Sequence, residues 1–270
     1  MGAPPRMITR YDPPVRIVLT NDDGIDAPGI AALRSALEGL GEILTLAPAA
    51  HQSATSHAVT FNGPLTVEPR RFGDRDAYEG LAIGGRPADC IKLGLSELID
   101  GEVDLVISGM NAGANVGINV IYSGTVGAAR EAAILGVPAI AVSLHVGDWN
   151  AIRWPDAADH ARRTIDTLLD HGLPKAALVN VNVPILDDGR EPKGIRVARA
   201  CTVPLLDEYE RRSDGSYRIR STMTFRRRDP DTDVAALFDG YITLTPLQHS
   251  LTDRASLAEL DGLRDRVGGV

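Results

Sequence analysis

The string with the most chemical potential is Asn21-Asp22-Asp23-Gly24, which directly follows the short apolar run Ile17-Val18-Leu19. If that run is a buried strand, the string lies outside the carboxyl end of a strand, where ligands bind in open α/β sheets. Two adjacent carboxylates there would repel an anionic ligand unless a cation lies between them. Taken alone, the string fits a plain turn better than a site, because Asn, Asp and Gly all favour turns.

Two further loops strengthen the interpretation as a site. Residues 50–57 read AHQSATSH, with three hydroxyl side chains, and residues 108–117 read SGMNAGANVG. Each loop follows a predicted strand, so carboxylate, hydroxyl and amide oxygens are expected at one edge of a sheet. Oxygen-only ligand sets select hard cations such as Mg²⁺, Mn²⁺ or Ca²⁺ rather than zinc.

Ser123-Gly124-Thr125 opens a predicted helix. Helix N-termini bind phosphate through free N–H groups and the helix dipole, and the glycines of residues 109–117 let backbone approach a ligand closely. A cation facing a helix N-terminus is suited to phosphoryl transfer. Ser123 and Thr125 fit simple helix capping equally well, and the two roles can coexist.

Alternating strands and helices would position these loops. The sequence predicts strands over 16–20, 42–46, 104–108, 139–144 and 177–183, and a less regular hairpin region over 65–83. It predicts helices over 28–40, 87–99, 123–135 and 155–171. This alternation predicts an α/β fold with a doubly wound, mostly parallel sheet flanked by helices, Rossmann-like in architecture.

Three segments are predicted. Residues 1–14 form a flexible tail, 15–250 one α/β domain, and 251–270 a closing C-terminal helix. Within the domain, 185–250 is predicted as an antiparallel extension, with strands at 195–200 and 217–227 and no helix between them. We expect this β-extension and the helix to serve in oligomerisation.

Composition narrows the function. A net charge of −8 and a pI near 5.3 argue against a nucleic-acid polymer as partner. The isolated Cys90 and Cys201 predict no disulfide framework and a reducing compartment. No apolar stretch is long enough to cross a membrane, and the first residues do not read as a signal peptide. We therefore expect a cytoplasmic protein with no membrane partner.

Four strings in order carry a family resemblance. They are TNDDGIDAPGIAAL, HQSATSHAVT, GRPADCIKLGL and SGMNAGANVGINVIYSGTVGAAREAAILGVPAIAVSL. Together they closely resemble the SurE family, the survival-protein nucleotidases, and TDVAALFDGYITLTPL near the C-terminus fits more loosely. The resemblance covers residues 16–145 strongly and 229–247 loosely. It implies a metal-dependent phosphatase acting on nucleoside 5′- and 3′-monophosphates, in some members also on polyphosphate, and assembled as a homodimer or homotetramer.

The resemblance also implies roles for particular residues. One divalent cation per subunit would be held by Asp22, Asp23, Ser53 and Asn111. Phosphate would be bound by Asn111, Asn115, Ser123, Gly124 and Thr125. Catalysis would fall to Asp22, Asp23 and Asn115, with Asp23 orienting the attacking water. The chain departs from the family pattern at Asn119, where an aspartate is usual, and over 201–228, which bears on substrate selection and assembly.

The histidines are weaker candidates. His51 and His57 flank Ser53 and could lie near the site, with His57 predicted as a polar loop residue rather than a substrate contact. The other four are predicted to be structural or exposed, and the basic run 226–228 to form a solvated face or subunit salt bridges.

Two other functions stay open. A non-catalytic nucleotide-binding module of Rossmann type would want G-x-G-x-x-G after the first strand, where this chain has Asp-Asp-Gly. An inactive scaffold member of the same fold is the second, although the complete predicted ligand set argues against it.

Overall fold

The computed structural model describes residues 7–8, 15–174, 177–186, 189–203, 208–220 and 229–261. Its strands, in chain order, are β1 Met7–Ile8, β2 Val15–Thr20, β3 Gly41–Pro48, β4 Val67–Phe72, β5 Tyr78–Ile83, β6 Leu105–Ala112, β7 Ala139–Leu144, β8 Leu173–Pro174, β9 Leu178–Val183, β10 Ile195–Val197, β11 Glu208–Arg211, β12 Tyr217–Arg220 and β13 Ile242–Leu247. Its α-helices are α1 Pro28–Ala36, α2 Pro87–Leu93, α3 Gly124–Ile134, α4 Trp154–His171, α5 Asp233–Phe238 and α6 Arg254–Asp261. Short helical turns lie at Asp74–Asp76, Gly94–Leu98 and Gly117–Ile121.

A nine-stranded sheet organises the fold in the order β10-β13-β9-β7-β6-β2-β3-β5-β4. Strands β9, β7, β6, β2, β3 and β5 run parallel, whereas β4 and β13 are antiparallel to their neighbours β5 and β9. From β2 the chain proceeds to β3 on one side and later returns to β6 on the other. The strand order therefore reverses between β2 and β6, the position at which open α/β sheets bind ligands. The predicted doubly wound sheet is confirmed.

Helices cover both faces of this sheet. In β2, Ile17 and Leu19 belong to the core cluster that includes residues of α1 and α4, whereas Val18 belongs to the cluster that includes α2 and α3. All three side chains are completely buried. Strands buried on both faces appear in sequence as continuous apolar runs, which is why the run at 17–19 marked β2 correctly.

Strand β6 is longer than its predicted span of 104–108. It continues through a register shift between Ser108 and Asn111, so that Asn111 pairs with Ser143 of β7. Glycine and asparagine at 109–112 indicated a loop, but an irregularity of this kind lets a strand keep pairing beyond one residue that does not fit. Asn111 thus lies in the sheet rather than in a loop.

The last third departs most from the sequence interpretation. Helix α5 was not predicted, and β10 pairs parallel with β13, although 185–250 was interpreted as an antiparallel extension. Strands β11 and β12 form a separate antiparallel pair, and the remainder of the strand predicted over 217–227 lies outside the described residues. In the predicted tail, β1 pairs with β8. The closing helix is described to Asp261, and no helix of the described residues is long and apolar enough to cross a membrane.

Candidate active site

A tight turn at the end of β2 presents the two adjacent aspartates. The Asn21 side chain donates from Nδ2 to the Gly24 carbonyl at 2.8 Å and accepts the Gly24 N–H on Oδ1 at 3.2 Å. Gly24 has a φ of +99°, which a side chain would strain. The turn interpretation of this string is correct, and the turn is what positions Asp22 and Asp23. Their role in a site stays a prediction.

Both carboxylates are poorly solvated. Asp22 is buried, and Thr125 donates its hydroxyl to Asp22 Oδ1 at 2.5 Å. Burial, with a smaller contribution from the charge of Asp23, raises the pKa of Asp22 to about 6. Asp23 accepts the Ala112 N–H at 3.1 Å, and burial raises its pKa as well. The protein alone therefore compensates little of the negative charge that it gathers here.

The start of α3 lies directly against Asp22. A Cβ on Gly124 would lie 2.9 Å from the Asp22 Cβ and 3.0 Å from its Oδ2, so only glycine permits this approach. Ser123 accepts the Val126 N–H at 3.1 Å and caps the helix. The structure thus brings Ser123, Gly124 and Thr125 to the carboxylate pair, although they are about a hundred residues away in the chain.

The loop of residues 51–53 contacts the aspartate pair through His51. Its Nδ1 lies 3.3 Å from Asp23 Oδ1, and its Nε2 lies 2.7 Å from Ser53 Oγ. The Gln52 N–H donates to the Asp22 carbonyl at 2.7 Å. Ser53 itself is exposed. Ser53 was predicted as a ligand from the family resemblance, whereas His51, which links it to Asp23, had no predicted role.

Asn111 and Asn115 are fixed by hydrogen bonds. Asn111 donates from Nδ2 to the Gly113 carbonyl at 2.6 Å. Asn115 donates its backbone N–H to Asn182 at 2.8 Å, its Nδ2 to Ser143 at 2.9 Å, and accepts the Asn180 amide on its carbonyl at 2.7 Å. These three partners are completely buried, on β7 and β9. None of the three was predicted from the sequence, although the asparagines at alternate positions of the buried run LVNVNV were a usable signal.

His57 contacts the buried Glu131 of α3. Its Nε2 lies 2.6 Å from Glu131 Oε2, while Lys92 donates to Glu131 Oε1 at 2.9 Å. The bond from His57, more than any other contact, lowers the pKa of Glu131 against the opposing effect of burial. The pair ties the loop that carries Ser53 to α3.

The donor set suits a hard divalent cation. Within the described residues, no three His, Cys, Asp or Glu side chains come together as a metal cluster, so a cation would need the oxygens of Ser53 and Asn111 as well. Among the same residues no Lys or Arg forms an ion pair with Asp22 or Asp23. Two carboxylates with raised pKa values, a hydroxyl and an amide oxygen fit Mg²⁺, Mn²⁺ or Ca²⁺.

Two clefts meet at this site. One, of about 1140 Å³, is lined by Asn111 and Asn115, and the other, of about 700 Å³, by Asp23 and His51. Trp149 lines both clefts. No signal in the sequence pointed to this tryptophan.

The fold and the site define a doubly wound α/β protein with a carboxylate pair at the switch point of its sheet, facing a helix N-terminus. The family model described as survival protein SurE matches residues 17–205. Proteins named 5′-nucleotidase SurE from Syntrophus aciditrophicus and from Nitratidesulfovibrio vulgaris strain DP4 are each 42% identical over 93% of this chain and cover 93% and 100% of their own lengths.

The crystal structure of a SurE protein from Aquifex aeolicus superposes with a TM-score of 0.78 at 35% identity, covering 93% of this chain and all of that one. The chain belongs to the SurE family.

Proposed function

We propose that this protein is a divalent-metal-dependent phosphomonoesterase that hydrolyses nucleoside 5′-monophosphates to nucleoside and phosphate. The observation that carries the proposal is the pair of the buried Asp22 and the half-buried Asp23 at the switch point of the sheet, with Asp22 against the start of α3. The relatives named 5′-nucleotidase support the choice of substrate. Nucleoside 3′-monophosphates and polyphosphate are proposed as further substrates on the family resemblance alone.

Four residues would hold one cation per subunit: Asp22, Asp23, Ser53 and Asn111. When bound, Mg²⁺, Mn²⁺ or Ca²⁺ supplies a Lewis acid that polarises the phosphate and makes water a stronger nucleophile. Thr125 holds Asp22 in place through its 2.5 Å hydrogen bond, and His51 does the same for Asp23 and Ser53.

The chain's own groups would then carry out the reaction. The phosphate would be oriented by the start of α3, at Gly124 and Thr125, and by the amides of Asn111 and Asn115. The Asp23 carboxylate would orient the attacking water and accept its proton. As the new P–O bond forms, the P–O bond to the nucleoside would break, and the nucleoside oxygen would take a proton from solvent. Because the pKa of Asp23 is raised by burial, it is a stronger base than an exposed aspartate.

We also propose a homodimer or homotetramer in the cytoplasm, with neither a nucleic-acid polymer nor a membrane as partner. Support for assembly comes from the β11–β12 pair, which exposes Tyr209, Tyr217 and Ile219. The two free cysteines support a reducing compartment.

Phosphate release from a panel of nucleoside 5′- and 3′-monophosphates and from polyphosphate tests the proposal. The panel is run with EDTA and after restoring Mg²⁺, Mn²⁺ or Ca²⁺. We expect no release in EDTA and metal-restored release from the 5′-monophosphates. Absence of release with every metal would instead favour a nucleotide-binding module or an inactive scaffold of the same fold.

A further inference from the structure

The cleft of about 1140 Å³ joins the candidate site to a group of ring side chains. Asn111 and Asn115 line it together with His145, Trp149 and Phe238. The rings of His145 and Phe238 pack against each other, with centroids 5.0 Å apart. Pockets of 300–1,000 Å³ hold most small ligands, so the cleft has room for the remainder of a molecule whose phosphate lies at the site.

Trp149 is the unusual member of this group. Only 4% of the chain is aromatic, yet this indole is 63% exposed and lies at the wall shared by the two clefts. A Cβ on Gly113 would lie 4.0 Å from the edge of the indole, so the ring lies close to the backbone just beyond Asn111. An exposed indole at the wall of both clefts is placed to contact the flat face of a ligand bound there.

We propose that Trp149 is a specificity-determining residue that stacks on the nucleobase of the substrate, within the cleft that Asn111 and Asn115 border. This inference rests on the proposed function, since it places the base of the nucleotide whose phosphate lies against α3. Aromatic side chains bind every base through its π-face, so stacking favours nucleotides over simple phosphate esters without selecting one base. His145 and Phe238 supply further ring surface in the same cleft.

The other tryptophan provides a matched control. Trp154 lines only the smaller of the two clefts and is half-buried, with its indole near Gly29 of α1. The sequence contains two tryptophans, so Trp154→Phe leaves Trp149 as the single indole of the chain.

The activity test compares AMP with ribose 5-phosphate, which has the same phosphate and sugar but no base. For Trp149→Ala we expect kcat/KM for AMP to fall about tenfold or more, while kcat/KM for ribose 5-phosphate changes less than about twofold. Trp149→Phe should recover most of the loss, because phenylalanine still stacks. Trp154→Phe should leave both substrates unchanged. An equal loss on both substrates, or no loss on either, would overturn the proposal.

A binding test separates this inference from the proposed function. In the Trp154→Phe protein, the fluorescence of Trp149 should be quenched by AMP and not by ribose 5-phosphate. Quenching without phosphate release from any substrate would leave the base site standing and reject the nucleotidase. Absence of quenching at AMP concentrations that saturate phosphate release, or at millimolar AMP if nothing is released, would reject the base site.

Discussion

The two sides of the candidate site are held in different ways. On the sheet side, defined as residues 111–115, Asn115 is fixed by Ser143, Asn180 and Asn182, all completely buried on β7 and β9. On the loop side, defined as residues 51–57, the contacts with Asp23 and Ser53 pass through His51, whose side chain is 61% exposed.

The loop side also contacts one buried residue, because His57 lies against Glu131.

The sheet side is therefore positioned by the fold itself, whereas the loop side is positioned by a few local contacts. Hydrogen bonds between buried groups break only when the strands that carry these groups unfold. Contacts made by an exposed loop break in small local fluctuations. The sheet side should therefore be as rigid as the sheet, and its loss should cost stability. The loop side should depend on a few contacts, and its loss should cost placement of Ser53 more than stability.

Asp22→Asn should have the largest effect, because Asp22 lies between the two sides. We expect phosphate release to fall roughly a thousandfold or more, since a neutral amide neither binds a cation strongly nor retains the paired charge. Thermal unfolding should show no loss of stability, because the change removes a buried charge. The exposed Asp26, paired with Arg70, is the matched control, and Asp26→Asn should stay within a few-fold of wild type. An active Asp22→Asn protein would remove the proposed mechanism.

The same variant has a signature in pH. The folded-state pKa of Asp22, about 6, lies above the ordinary value of 3.8, so its contribution to stability is complete below pH 3.8 and is lost as the pH rises through 6. Asp22→Asn should therefore flatten the pH dependence of the unfolding free energy between these two values. If the pH dependence of the unfolding free energy is unchanged in Asp22→Asn, folding does not raise the pKa of Asp22.

Asn182→Ala should have the second largest effect, and it tests the sheet side. It removes the acceptor of the Asn115 N–H and leaves buried polar groups unpaired, which costs about 1–3 kcal/mol of unfolding free energy. Thr243 is the matched control, because it pairs with Asn182 across the sheet and its buried hydroxyl has no hydrogen-bond partner among the residues that the structure describes. Thr243→Val should be neutral or stabilising in denaturant unfolding. Equal losses in both variants would mean that the strand, not the hydrogen bond, carries the effect.

Glu131→Gln should have the smallest effect and tests the loop side. It keeps the shape of the side chain but removes the charge that His57 and Lys92 contact, so we expect a loss of about 1 kcal/mol at neutral pH. The pKa of Glu131 lies below its ordinary value of 4.5, so its contribution is present above pH 4.5 and is lost as the pH falls through the folded-state pKa.

The difference from wild type in unfolding experiments should therefore shrink in acid. Glu97→Gln, at an exposed position, is the control and should match wild type throughout. A difference that persists in acid would show that the Glu131 charge is not its source.

The parts of this molecule that could be predicted from sequence are those with local signals. Buried runs such as 17–19 and 139–144 marked parallel strands, and strand ends marked the position of Asp22 and Asp23. The rule that the carboxyl ends of parallel strands share one edge indicated that these loops lie together, but not the hydrogen bond between Asp22 and Thr125, 103 residues apart. The roles of the site residues and the domain boundaries stay predictions.

The remaining features depend on contacts between residues far apart in the sequence, which no short segment contains. The extension of β6 to Ala112 depends on its pairing with β7 beyond a register shift. The anchoring of Asn115 depends on where β9 lies, and the exposure of Trp149 depends on which loops surround it. Helix α5 is six residues long, too short to give a clear periodic pattern.

Helix α3 couples the turn that carries Asp22 to the loop side of the site. Gly124 approaches Asp22, while one turn further along a Cβ on Gly127 would lie 2.5 Å from the Ser56 carbonyl and 3.1 Å from the His57 Cα. At both points backbone meets its neighbour with no intervening side chain that could change rotamer. The helix therefore acts as a rigid spacer between Asp22 and the loop side, and a ligand that displaced one of them through α3 would displace the other.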